Sequence, residues 1–515
     1  MRPPLRPLAL VPGPPSPRAA GLGRGLALFA LAALAGCVKP AGSCHETPDC
    51  ASGETCDGGV CVRTATFGGG GGGSGGGIEP TAFTSVAWSA LQGSPGATFR
   101  PDSVGADSIS GDVVVAGALD GAFAPWGLGT GAFVAKVSGL AAFDWAFPFP
   151  TFSHGKLRAA VLPGGDVLFA ATALAPTTIG GLPPITPPAQ GALVVGRLDA
   201  AGNAIWAVSI PSASASATLV PVAAAVLGSD LLVAGTGAGD FGCGATAGQT
   251  FVAALAGANG ACLWSRGFAT RSIADAEPRD AGDVLVAGIC APTGAYFDPQ
   301  GGTTCTSGLW VAALSGSTGA TLWATTGSGA VSAVRDVAVA PDGSLAVVGD
   351  ATGSVRFGGA AAIDFGPHAG SFAARFAADG TPGAVIRPIE APYALLADAA
   401  SFDRCAADRL GKLWIAGRYR GQPTLGGALF PECRLPACAA ATYLARLEGD
   451  GSVSSFLPLR VAPLGDGSAF VDDLVLFATT GTLAHALRLT GSTSVGGASW
   501  TSVGGGDLGV LRIAP

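Results

Sequence analysis

Cysteine is the residue type in this chain with the most chemistry to offer. The 515 residues include twelve. Cys44, Cys50, Cys56 and Cys61 crowd one short segment, spaced C-x5-C-x5-C-x4-C with glycines and aspartates between. Thiols at such density either hold a metal or pair with one another. Zinc hooks set their cysteines closer together, as C-x2–4-C, and the x5 spacings do not suit them. So short a segment cannot bury enough surface to fold unaided. Disulfides are the expected staple, with the pairing open. Cys243, Cys262, Cys290, Cys305, Cys405, Cys433 and Cys438 are spread over the rest. Cys243 with Cys262, Cys290 with Cys305, and Cys433 with Cys438 are candidate clips on single loops, each stabilising by roughly 2–4 kcal/mol. Cys405 is left as a free, buried thiol.

Other candidates are thinner. His45, His154, His368 and His485 are isolated. A histidine metal or nucleophile site would need distant residues to converge, so each is read as a surface or loop residue. Asp466, Asp472 and Asp473 form the densest acidic cluster. Carboxylates on a loop suit Ca2+, the one cofactor candidate, but the spacing matches no EF-hand and a solvated turn is expected. Gly72-Gly73-Ser74-Gly75-Gly76 matches the nucleophile elbow with no strand before it and no helix after. Gly237-x-Gly239-x-x-Gly242 matches the dinucleotide fingerprint but leads into a hairpin loop, with no helix N-terminus to cradle phosphate. No catalytic, metal or cofactor-binding residue is assigned.

Composition narrows the class. Charged residues are 12%, hydrophobic residues 49%, mean hydropathy is +0.47 and net charge is −7. No Lys/Arg run appears beyond residue 24, so nucleic acid is not an expected partner, since phosphate neutralisation needs clustered cations. Beyond the N-terminus, the longest apolar run, residues 217–228, is too short to span ~30 Å of hydrocarbon. The apolarity lies in Ala, Val and Gly of short strands.

The N-terminus sets the address. Arg2, Arg6, Arg18 and Arg24 precede an apolar run over residues 25–36, the length of a signal-peptide core. It ends in Leu34-Ala35-Gly36-Cys37, which resembles a bacterial lipobox. The resemblance implies cleavage before Cys37, lipid on Cys37 and a chain tethered to a membrane. Val38 replaces the Asp that marks inner-membrane retention in that family, which implies the outer membrane or cell surface. An ordinary signal peptide with a chance cysteine is the alternative. Residues 1–36 are thus read as signal peptide and 37–64 as lipidated Cys37 with the Cys-rich segment. Residues 65–79 are a glycine linker, whose ten-residue core reaches roughly 17 Å, and 80–515 form one repeat domain.

Seven units recur in that domain. A first marked strand ends at Gly117, Ala171, Gly235, Gly288, Gly349, Gly417 and, more loosely, Gly491. A second follows, such as 133–137, 251–255 and 310–314. A third carries Trp145, Trp206, Trp264 and Trp323, with Val385 and Ser455 in degenerate copies. Another strand precedes the first, joined by turns such as Pro341-Asp342-Gly343-Ser344. Four short strands per unit with no helical periodicity predict an all-β fold, a seven-bladed β-propeller. The last unit lacks its tryptophan strand. Ser85-Val86-Ala87-Trp88-Ser89 supplies it from the other end, closing the ring and removing two edges.

The pattern Val-Ala-Gly, a loop with a Phe-Gly or X-Gly-Gly step, Phe-Val-Ala-Lys and then Gly-x-x-x-Trp resembles the bacterial seven-bladed β-propeller repeat proteins. The loop steps are Ile179-Gly180-Gly181, Phe241-Gly242, Phe357-Gly358-Gly359, Leu425-Gly426-Gly427 and Val495-Gly496-Gly497. The resemblance implies an exported lipoprotein or surface protein and is silent on activity. Thr318-Gly319-Ala320-Thr321-Leu322-Trp323 resembles the tryptophan-docking step of quinoprotein repeats. No two cysteines are adjacent and Asn is scarce, so no quinone site carries over. The tryptophans are expected to be packing residues.

These readings favour a lipid-anchored binding or scaffold module over an enzyme, with a protein or glycan partner met by long loops on one face. One alternative is a propeller hydrolase, lyase or quinoprotein-like enzyme with an axial site. It would need charged residues on inner strands that read mostly Ala, Val and Gly; three or more convergent carboxylates or histidines lining the axis would overturn the preference for binding over catalysis. Another is an assembly factor resembling the propeller lipoprotein of the outer-membrane barrel-insertion machinery.

Overall fold

The computed structural model describes residues 54–57, 60–63, 81–82 and 85–514, apart from 108–109, 150, 214–217, 247, 292–294, 297–303, 306, 359, 367–369, 389–398, 409, 427, 434–439, 462–467, 477–482, 496–497 and 504. The chain divides into two units, Met1–Gly77 and Ile78–Pro515. In the first, a hairpin of Glu54–Asp57 and Val60–Arg63 sets Cys56 opposite Cys61. Cys37, Cys44, Cys50, His45 and the glycine linker lie outside the described residues.

The second unit is a seven-bladed β-propeller of antiparallel meanders. Counting outward, blade 1 is Thr98–Ala106, Val113–Asp120, Gly131–Val137 and Phe143–Phe149. Blade 2 is Phe152–Val161, Val167–Ala173, Ala192–Leu198 and Ala204–Pro211; blade 3 is Val220–Leu227, Asp230–Thr236, Thr250–Leu255 and Cys262–Phe268. Blade 4 is Ser272–Pro278, Asp283–Ile289, Leu309–Ser315 and Thr321–Thr326; blade 5 is Ser328–Val339, Leu345–Arg356, Gly370–Phe376 and Pro382–Ile386. Blade 6 has a split inner strand, Ala399–Ala400 and Arg404–Ala407, then Leu413–Arg420, Ala440–Leu447 and Val453–Val461. Blade 7 is Ser468–Leu476, Leu483–Thr490, Asp507–Ala514 and, from the N-terminal side, Ser85–Gln92.

Innermost strands touch in cyclic order, and Ser468–Leu476 of blade 7 meets Thr98–Ala106 of blade 1. The predicted closure is in place: Trp88 stands opposite Arg512 and Gln92 opposite Leu508. Thr81–Ala82 adds a parallel strand to the rim of blade 6 at Ser455 and Phe456, which the repeats do not foretell.

The marked glycine has a local cause. It faces an aromatic on the third strand in five blades, as Gly117 faces Phe133 and Gly288 faces Trp310. On its other side the inner strand bulges, between Pro221 and Ala223 in blade 3. A β-carbon at Gly235 would stand 2.2 Å from the Val220 oxygen and 2.7 Å from the Phe251 ring. No side chain fits there. Blade 7 exchanges the pair, with Leu487 facing Gly509. The marked position is therefore Leu487; Gly491 falls after the strand.

The repeat tryptophans join blade to blade. Trp145, Trp206, Trp264 and Trp323 donate their indole N–H groups to Ala200, Gly257, Gly316 and Ala378 of the next blade, at 2.6–3.1 Å. Each ring lies on a glycine of that turn, Gly202, Gly260, Gly319 or Gly380, with φ between 68° and 86°. In blade 5 the residue covering the equivalent Gly451 is Ile386, one position beyond Val385.

Sheets that radiate from an axis diverge toward the rim, and close packing requires the wedge to be filled. The long loops fill it. Ile179, Phe241, Phe357 and Leu425 are buried, and Phe241 and Phe357 lie 5.0 and 4.8 Å from Phe251 and Phe372. Gly180 sits between Phe147 of blade 1 and Ala204 of blade 2, and Gly358 between Thr325 of blade 4 and Pro382 of blade 5. Apolar steps of the loops thus turn back into the seams, so these loops do not form the wholly free face expected of them.

Candidate functional site

The inner strands read mostly as Ala, Val and Gly, without the charged cluster an axial site would need. The structure corrects this. A cavity of about 320 Å3 among the inner strands is lined by the carboxylates of Asp102, Asp275, Glu277 and Asp336 and the guanidinium groups of Arg158, Arg335 and Arg404. The bulges explain the convergence. An extra residue breaks the in-out alternation and re-aims the side chains beside it. That residue is Asp102 in blade 1 and Arg335, followed by Asp336, in blade 5. In blade 7 the backbone register shift falls at Asp472, followed by Asp473. These two aspartates therefore lie in a strand, not in the solvated turn expected of them; Asp466 lies outside the described residues.

The charges are tied up between blades. Arg158 Nε donates to the Val222 carbonyl of blade 3 at 2.7 Å. Asp336 accepts the backbone N–H of Cys405 in blade 6 at 2.8 Å. Arg335 Nε donates to Asp350 at 3.0 Å, and its guanidinium reaches Asp403 of blade 6 at 3.8 Å. Asp403 also holds Arg418 at 2.9 Å. The Ser103 hydroxyl donates to the Ala159 carbonyl and accepts the Ala159 N–H, both at 3.1 Å. Asp102, Asp275, Glu277 and Arg404 are likewise engaged. Buried charge is tolerated where it is paired and hydrogen-bonded, and here the pairing also joins neighbouring blades. Among the described residues, no three His, Cys, Asp or Glu side chains are grouped as metal ligands.

Cys405 stands in the wall of this cavity. Burial pushes its thiol well above the usual range, and Asp336, Asp275 and Glu277 add to the push. It is a protonated thiol at neutral pH, unsuited to nucleophilic attack. It is the free cysteine among the described residues.

The structure joins Cys243 to Cys262, with Cα atoms 5.7 Å apart, fixing the long loop of blade 3 to its own rim strand. Cys290 and Cys433 are buried and disulfide-bonded. Cys305 ends a short hairpin, Ala295–Tyr296 with Thr304–Cys305; Cys438 lies outside the described residues.

His485 departs from its reading as a surface or loop residue. It sits mid-strand in blade 7, fully buried, with no partner for either ring nitrogen among the described residues. Strand alternation puts it on the face of Leu483 and Leu487, which packs on Trp414 and Ala416 of blade 6. Burial lowers its pKa to about 4. His154 also lies in a strand, Phe152–Val161; His368 lies outside the described residues.

The class defined by this geometry is an all-β, seven-bladed propeller with a charged, internally paired axis. No protein-family model matches the chain, and no curated protein matches it in sequence. It is similar to the solved structure of BamB from Moraxella catarrhalis, with 15% identity and a TM-score of 0.37 over 82% of this chain and 100% of that one. It is also similar to hydrazine synthase from Kuenenia stuttgartiensis, with 11% identity and a TM-score of 0.43 over 78% of this chain and 94% of that one. A quinohemoprotein alcohol dehydrogenase from Pseudomonas putida shows 10% identity and a TM-score of 0.39, covering 84% of this chain and 77% of that one. Likenesses this distant say nothing of what this chain binds or converts; the propeller follows from its own strand pairing.

Proposed function

We propose that this chain is an exported β-propeller, lipid-anchored through Cys37 at the outer membrane or cell surface, that acts as a binding or scaffold module. The axial ring carries the reading: Arg158, Arg335 and Asp336 each tie one blade to another, so the axis serves as framework. The apolar run at residues 25–36 and the Leu34-Ala35-Gly36-Cys37 step support the anchor. Radiolabelled palmitate is expected to enter the parent protein and not Cys37→Ser, which leaves the membrane fraction. Label that survives the substitution removes the anchor from the proposal.

One observation favours a second reading, an axial enzyme. Four carboxylates line the axial cavity, more than the three expected to overturn the preference for binding; binding stays first because all four are engaged. Under that reading Asp275→Asn with Glu277→Gln abolishes a hydrolase or lyase activity found in the parent while the melting temperature is kept. Crosslinking of the full chain to barrel-insertion proteins would instead give the scaffold an assembly role.

A further inference from the structure

Blade 1 has the shortest of the seven loops between second and third strands, residues 121–130, and it lacks the X-Gly-Gly step. It folds instead into one 3-10 turn, Ala124–Trp126, ended by Gly127 at φ 64°. The seam between blade 1 and the closing strand is consequently under-filled. It holds a cleft of about 550 Å3, with Leu91 and Gln92 on one wall and Pro125, Trp126, Phe143 and Asp144 on the other.

Trp126 differs from the repeat tryptophans. Its ring is fixed by Phe123 and Phe143, at 4.9 and 4.8 Å between centroids, yet stays half-exposed. Its indole N–H meets no acceptor among the described residues. The Gln92 amide and the exposed Asp144 carboxylate also make no side-chain hydrogen bond or ion pair with them. In the axial cavity every charged side chain is engaged; here an aromatic platform and three polar groups stand ready.

We infer that this seam cleft binds a neutral saccharide, stacked on Trp126 and hydrogen-bonded by Gln92 and Asp144. The groups present two kinds of donor, the indole N–H and the amide NH2, and two kinds of acceptor, the amide oxygen and the carboxylate. Sugar hydroxyls both donate and accept, and a sugar ring has an apolar C–H face for the indole. An amine would use the acceptors and leave both donors unmet. An anion would face Asp144 with no cation to offset it. The volume falls within the roughly 300–1,000 Å3 of small-ligand sites. The inference deepens the binding-module reading and is independent of Cys37.

The test is calorimetric titration of the full chain with maltotriose, cellotriose, triacetylchitotriose, choline and a proline-rich peptide. At least one trisaccharide is expected to bind. Trp126→Ala should weaken it about tenfold or more, and Gln92→Ala and Asp144→Ala about threefold each. Trp126 also supports Phe123 and Phe143, so the Gln92 and Asp144 variants, with melting temperatures as a check, keep the test valid if Trp126→Ala unfolds. No trisaccharide binding up to about 20 mM overturns the inference. So does sugar binding that survives all three substitutions, or binding of choline or peptide alone with the same dependence. Failure here leaves the palmitate result unchanged, so the two readings fail separately.

Discussion

Trp206 and Gly260 meet face to face across a blade boundary: a β-carbon on Gly260 would stand 2.7 Å from the indole, whose N–H is held by Gly257 at 3.0 Å. Gly260 also has φ 73°. Gly260→Ala should therefore cost more than the ~1 kcal/mol of a left-handed alanine, and about 2–3 kcal/mol in all as the ring is displaced. Gly228, also left-handed at φ 66°, has nothing within 4 Å, and Gly228→Ala should cost only the backbone share. Calorimetric melting of both variants checks the difference; equal losses would refute the docking account.

His485 makes stability depend on pH. Its pKa of about 4 lies below the ordinary 6.5, so the unfolded chain takes up the proton first. Stability present above pH 6.5 drains as the pH falls toward 4, by about 2 kcal/mol between pH 8 and pH 5. His485→Leu should flatten that slope. Denaturant titrations at the two pH values measure it, and parallel losses in parent and variant would show that His485 is not held neutral.

Asp336 ties blade 5 to blade 6 through the Cys405 N–H. Asp336→Ala leaves a buried donor unmet and should cost about 1–3 kcal/mol. Asp336→Asn keeps an acceptor and should lose less. Cys405 reports on the same seam: it should resist thiol reagents in native protein and react promptly in Asp336→Ala. A thiol equally inert in both would separate Cys405 from this contact.

The blade 3 clip closes a loop of 19 positions, for which the chain-entropy estimate is about 3 kcal/mol. Cys243→Ser should lower stability by up to that amount. Non-reducing peptide mapping should link Cys243 with Cys262 and protect Cys290 and Cys433 from alkylation. Free alkylation of Cys290 in native protein would remove its loop clip.

Much of the fold was legible because it repeats. Glycine, aromatic and tryptophan recur at fixed strand positions, and the missing rim strand of blade 7 had its match at Ser85. The axial ring escaped for a physical reason. The charged residues of the inner strands differ from blade to blade, Asp275 and Glu277 in blade 4 and none in blade 3, and they stand beside Ala and Val. A bulge also breaks the period of two by which inward positions are counted. A signal was present: a glycine such as Gly235 exists because a bulge lies opposite, so counting across from Gly117 and Gly349 locates Asp102 and Arg335. His485 was misread because isolation in sequence says nothing about strand alternation. The loop steps were seen, but their role depends on the divergence of neighbouring sheets, which no single blade reveals.

The closing strand also fixes an order of events. Ser85–Gln92 precedes blade 1 in the chain and its partner Asp507–Ala514 follows blade 6. Blades 1 to 5 can form from contiguous chain as it emerges; blade 7 cannot. Until then the molecule is an open arc with an orphaned first strand and bare edges at both ends, the form most prone to pair with a neighbour. Topology therefore couples the two ends of the ring: a chain interrupted before Asp507 leaves Ser85–Gln92 without its ladder partner.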